Sequence, residues 1–196
     1  MEMAKDSRLR VGRAGMTVVE LMVALVIFGV IIGVVFGFLT ESRRSYSSTR
    51  QKAQYQQGLR AVMSLVTREI RSAGCDPTAV GFEAFPAADV NSFRCVMDLN
   101  GDTDTADTNP DEDVTYAFDA GTGDLTRTVG GANTVILRDL TNLQFNYYDA
   151  DGNLLNALPL SATDRALIRS VDLVMVGAAR EHEYTSYTTR IAMRNQ

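Results

Sequence analysis

The sequence predicts an α+β fold in which one long amino-terminal helix, its second half amphipathic, packs on a head built from a mostly antiparallel β-sheet. Three observations predict it. Residues 21–39 form an unbroken apolar run, an apolar stripe at helical spacing continues to Ala73, and beyond Pro77 short stretches of alternating polarity are separated by glycine-rich turns. Strands gathered after a helix, rather than alternating with helices, point to a segregated arrangement with the helix on one face of the sheet. The chain has 196 residues, of which 45% are hydrophobic. That is enough apolar surface to build a core, so disorder is excluded.

The first element is the run from Leu21 to Leu39, nineteen residues that are all apolar or glycine. At about 1.5 Å per residue it spans the roughly 30 Å hydrocarbon core of a bilayer. A soluble core helix of that length would carry polar residues on one face, and this one carries none. A secretory signal peptide has a shorter apolar region and a small-residue cleavage site; here the run passes straight into TESRRSYSSTRQKAQYQQ, so the helix is read as retained. Residues 1–15 hold four basic side chains (Lys5, Arg8, Arg10, Arg13) against two acidic ones. The positive-inside rule then puts them in the cytoplasm and everything after Thr40 on the far side, with Arg43 and Arg44 weighing against that bias. Gly29, Gly33 and Gly37 fall at four-residue spacing, which allows close approach of another helix, although glycine is frequent in membrane helices in general.

The helical pattern persists through Tyr55, Leu59, Val62, Val66, Ile70 and Ala73, and Gly74 and Pro77 supply its stop signals. The helix is therefore expected from about Thr17 to Ala73, roughly 85 Å at 1.5 Å per residue. Seven strands are expected beyond it, at 93–99, 114–118, 124–128, 134–137, 143–148, 170–176 and 187–194. Their turns are marked by Gly121-Thr-Gly123, Gly130-Gly131 and Asp149-Ala-Asp151-Gly152-Asn153. The chain thus divides into a basic segment at 1–15, an apolar membrane helix at 16–40, an amphipathic helix at 41–74 and a β-rich head at 75–196.

Beyond residue 15 the chain holds 15 basic and 22 acidic side chains, a net of −7 against −5 for the whole. An acidic body with no basic, aromatic-studded stripe is not built to hold phosphates, so direct nucleic-acid binding is not expected. With one histidine (His182) and two cysteines (Cys75, Cys95), a closed zinc site of cysteine and histidine would be short of ligands. No G-x-S-x-G, P-loop or H-E-x-x-H pattern occurs, and His182, between Glu181 and Glu183, reads as a solvent-facing loop residue rather than a general base. Catalysis by this chain is not expected. Both cysteines fall on the far side of the membrane, where disulfides persist. A Cys75–Cys95 bond would tie the helix end to the first strand and contribute about 3 kcal/mol in the chain-entropy model. The alternative is two small buried hydrophobic side chains.

Between the first two expected strands, residues 98–113 carry seven carboxylates and no cation. Asp98, Asn100, Asp102 and Asp104 stand at the alternate spacing that aims oxygens inward around calcium, and the D-x-N-G-D portion resembles calcium loops of the EF-hand and dockerin kind. It departs from them where Thr103 replaces the sixth-position glycine and where Asn109 stands in place of a bidentate acid, with Asp111 and Glu112 two and three residues late. The competing reading is a solvated hairpin loop.

One residue does not suit the apolar helix. Glu20 stands at the cytoplasmic edge of the run, where a carboxylate needs a partner or a headgroup location. The stretch Gly15-Met16-Thr17-Val18-Val19-Glu20-Leu21-Met22-Val23-Ala24-Leu25, behind its basic leader, resembles the amino-terminal signature of type IV prepilins and type II secretion pseudopilins. The departure is Met16, where phenylalanine is usual.

The resemblance implies a pilin-like lollipop. It implies cleavage between Gly15 and Met16 by a prepilin peptidase that also methylates the new amino terminus at Met16, and assembly in which Glu20 pairs with that terminus in a neighbouring subunit. The partners it implies are other pilins or pseudopilins, the peptidase, the inner-membrane assembly platform and membrane lipid. The location it implies is the inner membrane with a periplasmic head, then a filament. No cofactor is required, and calcium is the ligand to which the acidic loop points. Arg71-Ser-Ala-Gly74, the entry Leu140-Thr-Asn-Leu143-Gln-Phe-Asn-Tyr147-Tyr148, the strand Val171-Asp-Leu-Val-Met175 and the closing Arg190-Ile-Ala-Met-Arg194-Asn195 resemble W-type minor pilins, and less closely J-type pseudopilins. A third reading is a calcium-stabilised adhesive head.

Overall fold

The computed structural model describes residues 15–177 and 185–195, so the leader through Ala14 and the segment holding His182 lie outside the described residues. The chain forms two compact units, the first ending at Arg50 and the second beginning at Gln51. One α-helix, α1 (Val18–Ser72), contributes residues to both.

In the first unit every residue from Leu21 to Leu39 is exposed. No side of the helix is covered, and Phe28, Val34, Phe36 and Phe38 all stand open. An apolar surface of this extent is far larger than soluble monomers leave in water. By length and composition the helix is able to cross a bilayer, which is consistent with membrane anchoring.

In the second unit Leu59, Val62, Val66, Ile70 and Ala73 of α1 are buried, as their three- and four-residue spacing requires. The helix stops by a mechanism legible in its residues. Ala73 N–H still reaches the Glu69 carbonyl at 2.9 Å, and Gly74, at φ +72°, then takes the left-handed conformation that carries the chain off the helix axis. Gly74 N–H donates to the Val96 carbonyl at 2.9 Å, and the Cys75 carbonyl accepts from Asp98 N–H at 2.8 Å.

All seven expected strands are present, but they build two antiparallel sheets, not one. The first has the order β1 (Ala87–Ala88), β2 (Ser92–Val96), β3 (Asp113–Asp119), β4 (Asp124–Val129), β5 (Ala132–Leu137). The second has the order β7 (Leu154–Leu155), β6 (Leu140–Tyr148), β8 (Ser170–Gly177), β9 (Thr185–Ala192). The division occurs after β5, where Asp139 adopts φ +59° and Leu140 N–H bonds to the Gly123 carbonyl, so that β6 leaves the first sheet and pairs with β8. Alternating burial survives the change, with Leu143, Phe145 and Tyr147 inward on β6 and Val171, Leu173 and Met175 inward on β8. Aromatic rings join the two sheets. Phe93 of β2 stacks on Tyr116 of β3 at 5.1 Å and meets Phe145 of β6 edge-on at 4.7 Å. A single helical turn, α2 (Ala162–Arg165), was not expected; Ser161 caps it by accepting from Asp164 N–H.

The expected disulfide is absent, and both cysteines are free thiols. Cys95 faces the core from β2 and is fully buried, whereas Cys75 is partly exposed and lines a groove with Arg71 and Arg194. The join between helix end and strand that a disulfide would have made is made by the Gly74–Val96 and Cys75–Asp98 backbone bonds. Burial, reinforced by the charge of Glu69, pushes the Cys95 thiol well above its ordinary range. Because the thiolate is the reactive species, native protein at pH 8 is expected to take up one iodoacetamide per chain, at Cys75, and a second only on denaturation. Peptide mass mapping checks this, and equal labelling of both residues in native protein would refute it.

Candidate functional site

The expected processing site lies where the backbone is not yet helical. Gly15, Met16 and Thr17 precede α1, all three are exposed, and among the described residues, chain neighbours aside, no atom lies within 4 Å of where a Cβ on Gly15 would stand. Hydrolysis of the Gly15–Met16 bond therefore needs no helical hydrogen bond to be broken first. Thr17 is the cap: its carbonyl accepts from Leu21 N–H at 3.1 Å and its Oγ1 from Glu20 N–H at 3.3 Å. Glu20 Oε2 in return accepts from Thr17 N–H and from Thr17 Oγ1–H, each at 3.2 Å. This is a capping box, in which a threonine and the glutamate three residues on satisfy each other's free backbone donors. The sequence reading gave Glu20 a role between subunits and missed this one within its own chain, although the Thr-x-x-Glu spacing is its signature. A carboxylate in the first turn is also favoured by the helix dipole.

The acidic loop spans the gap between β2 and β3, and its neck is closed by Met97 N–H to the Glu112 carbonyl at 2.9 Å. Asx turns then fold it inward, with Asn100 Oδ1 accepting from Asp102 N–H, Asp102 Oδ1 from Asp104 N–H and Asp104 Oδ1 from Ala106 N–H. Carboxylate oxygens of Asp102, Asp104, Asp107 and Glu112 lie within 4.8 Å of one another. Two of the four residues expected from spacing, Asp102 and Asp104, belong to this cluster, and two do not. Asp98 is buried and its carboxylate instead accepts from Gly101 N–H at 2.5 Å and Thr103 N–H at 3.3 Å, which fixes the turn. Asn100 directs its Nδ2 toward Asp102 Oδ2 at 3.0 Å and Asp107 Oδ2 at 2.7 Å, so it presents a donor to the cluster. Asp107 and Glu112 were missed because the loop folds back at Thr108–Asp111, a bridge that no fixed spacing predicts.

The neck of the loop is anchored by a polar network, buried at Glu69 and Tyr116, that no local sequence pattern marks. Arg127 of β4 donates to Glu69 Oε1 of α1 at 2.6 Å and to Asp111 Oδ2 at 2.7 Å, and Tyr116 Oη–H donates to Glu69 Oε2. Burial and then the adjacent Glu69 charge hold the Tyr116 hydroxyl far above the usual phenol range, so it stays a donor. Arg94 and Asp113 form a bidentate pair across β2 and β3, at 2.7 and 2.6 Å.

Among curated proteins, none matches the chain at a meaningful level. Residues 10–36 match the family described as the prokaryotic N-terminal methylation motif, over the end of the basic segment with Arg10 and Arg13, Gly15, Met16, Glu20 and most of the apolar run. The chain therefore carries the signature of the type IV prepilins and pseudopilins, which implies processing by a prepilin peptidase and assembly with other pilins.

Proposed function

We propose that this chain is a minor pilin of a type IV pilus, cut after Gly15, methylated on Met16, held in the inner membrane by α1 with its head in the periplasm, and assembled at the filament tip to prime or cap it. The observation that carries the reading is the methylation motif joined to an apolar helix exposed on every side, a surface that is useful only when lipid or other helices cover it. In an assembled filament Glu20 faces the methylated ammonium of Met16 in the adjacent subunit, two charges that are costly apart and compatible together. The head supplies contacts to neighbouring subunits, and the chain itself performs no catalysis in this reading. The carboxy-terminal likeness extends to W-type minor pilins and, less closely, to J-type pseudopilins, and does not separate a pilus from a secretion machine, so a deletion phenotype decides between them.

Intact and amino-terminal peptide masses of membrane-extracted protein, from cells with and without prepilin peptidase, test the first half of the proposal. The expected result is loss of residues 1–15 and gain of one methyl group on Met16 only when the peptidase is present. An uncut chain, or a cut beyond Leu39, refutes it. Deleting the gene tests the second half: loss of surface pili with secretion intact supports the pilus, and the reverse supports a pseudopilin.

A further inference from the structure

We propose that Asp102, Asp104, Asp107 and Glu112 form a binding site for one calcium ion. Their oxygens converge to within 4.8 Å of one another, and ligands on opposite sides of a calcium bound at about 2.3–2.6 Å are about 5 Å apart. The decisive group is Glu112. It is wholly buried, and its Oε1 accepts from Leu99 N–H at 2.7 Å and Asn100 N–H at 3.2 Å, while its Oε2 has no hydrogen-bond partner. Buried polar atoms without partners are rare in native folds, and this one is carried by a residue whose carboxylate belongs to a cluster with three others.

Among the described residues none of the four takes part in an ion pair, because Arg127 is held by Glu69 and Asp111 and Arg94 by Asp113. The Asn100 amide, set between Asp102 and Asp107, brings the positive end of a dipole to the cluster but no charge. A divalent cation supplies it. The donor set is oxygen alone, which selects hard cations, and a loop with two exposed members and one partly exposed suits the adaptable shell of calcium better than the strict octahedron of magnesium. Asp98 acts as a positioning residue, since its carboxylate holds the turn that presents Asp102.

Calorimetric titration of the full-length chain in detergent, first freed of metal by chelator, with calcium chloride and in parallel magnesium chloride, tests this. One calcium per chain is expected, with a dissociation constant of about 10⁻⁵–10⁻³ M and weaker binding of magnesium. Glu112→Gln, which keeps an oxygen for the two backbone donors, and the exposed Asp104→Asn are each expected to weaken binding about tenfold or more. Saturating calcium is expected to raise the melting temperature of the unaltered chain by about 5–10 °C, reversibly with chelator, and to raise that of Glu112→Gln by clearly less at the same concentration. Absence of saturable binding up to about 10 mM calcium, or unchanged affinity in both variants, overturns the site. Equal affinity for magnesium overturns the choice of ion. Neither result depends on processing at Gly15.

Discussion

Replacing Arg127 by methionine is expected to destabilise the head by about 3–5 kcal/mol, a large share of the 5–15 kcal/mol that typically holds a domain together. Methionine fills most of the space, so the loss reports charge, not volume. It leaves Glu69, only 7% exposed, with the Tyr116 hydroxyl as its remaining side-chain partner, and it frees Asp111 at the neck of the acidic loop. A buried carboxylate that loses its cation is far more costly than one whose pair is removed altogether. The double change Glu69→Leu with Arg127→Met is therefore expected to recover most of the loss. Urea unfolding followed by far-ultraviolet circular dichroism measures both. A single variant within about 1 kcal/mol of the parent would show that the pair matters little.

Gly123→Ala is expected to be nearly as damaging, at about 3 kcal/mol or more, for a reason in the backbone. Gly123 sits at φ +73°, and an added Cβ would stand 2.7 Å from the carbonyl oxygen of Leu140, on the chain that begins β6. That oxygen is not the tip of a flexible side chain. To make room, the start of the second sheet must shift away from the β3–β4 turn and loosen the Leu140 N–H to Gly123 carbonyl bond at 3.0 Å. Gly131→Ala is the control, because it has a similar φ of +79° but open space around the new methyl group. It is expected to cost only the conformational part, about 1–2 kcal/mol. Equal losses in the two variants would remove the steric argument.

What could be read from the sequence follows how far apart the deciding residues are. The helix end at Gly74 and the inward faces of β6 and β8 depend on neighbours a few positions away, so periodicity located them. The division into two sheets depends on a turn at Asp139 and a hydrogen bond to Gly123, and alternation says which face of a strand is buried without saying which strand lies beside it. Glu69, Tyr116 and Arg127 meet across 58 positions, and each alone looks like an ordinary polar residue. Asp102 and Asp104 stood out because a calcium loop has a local spacing, whereas Glu112 joins them through the fold-back at Thr108–Asp111 and the pairing of β2 with β3. The Gly15, Met16 and Glu20 signature is wholly local and needed no tertiary information.

The capping box alters what subunit joining asks of Glu20. The Glu20 carboxylate is not a bare charge in search of a mate, because Thr17 already offers it a backbone and a hydroxyl donor. In the proposed filament the ammonium of a neighbour would meet a carboxylate already partly satisfied at Oε2, with a smaller net gain than neutralising an orphan. In that reading a small gain at Glu20 would leave the permanence of the joint to the contacts between apolar helices.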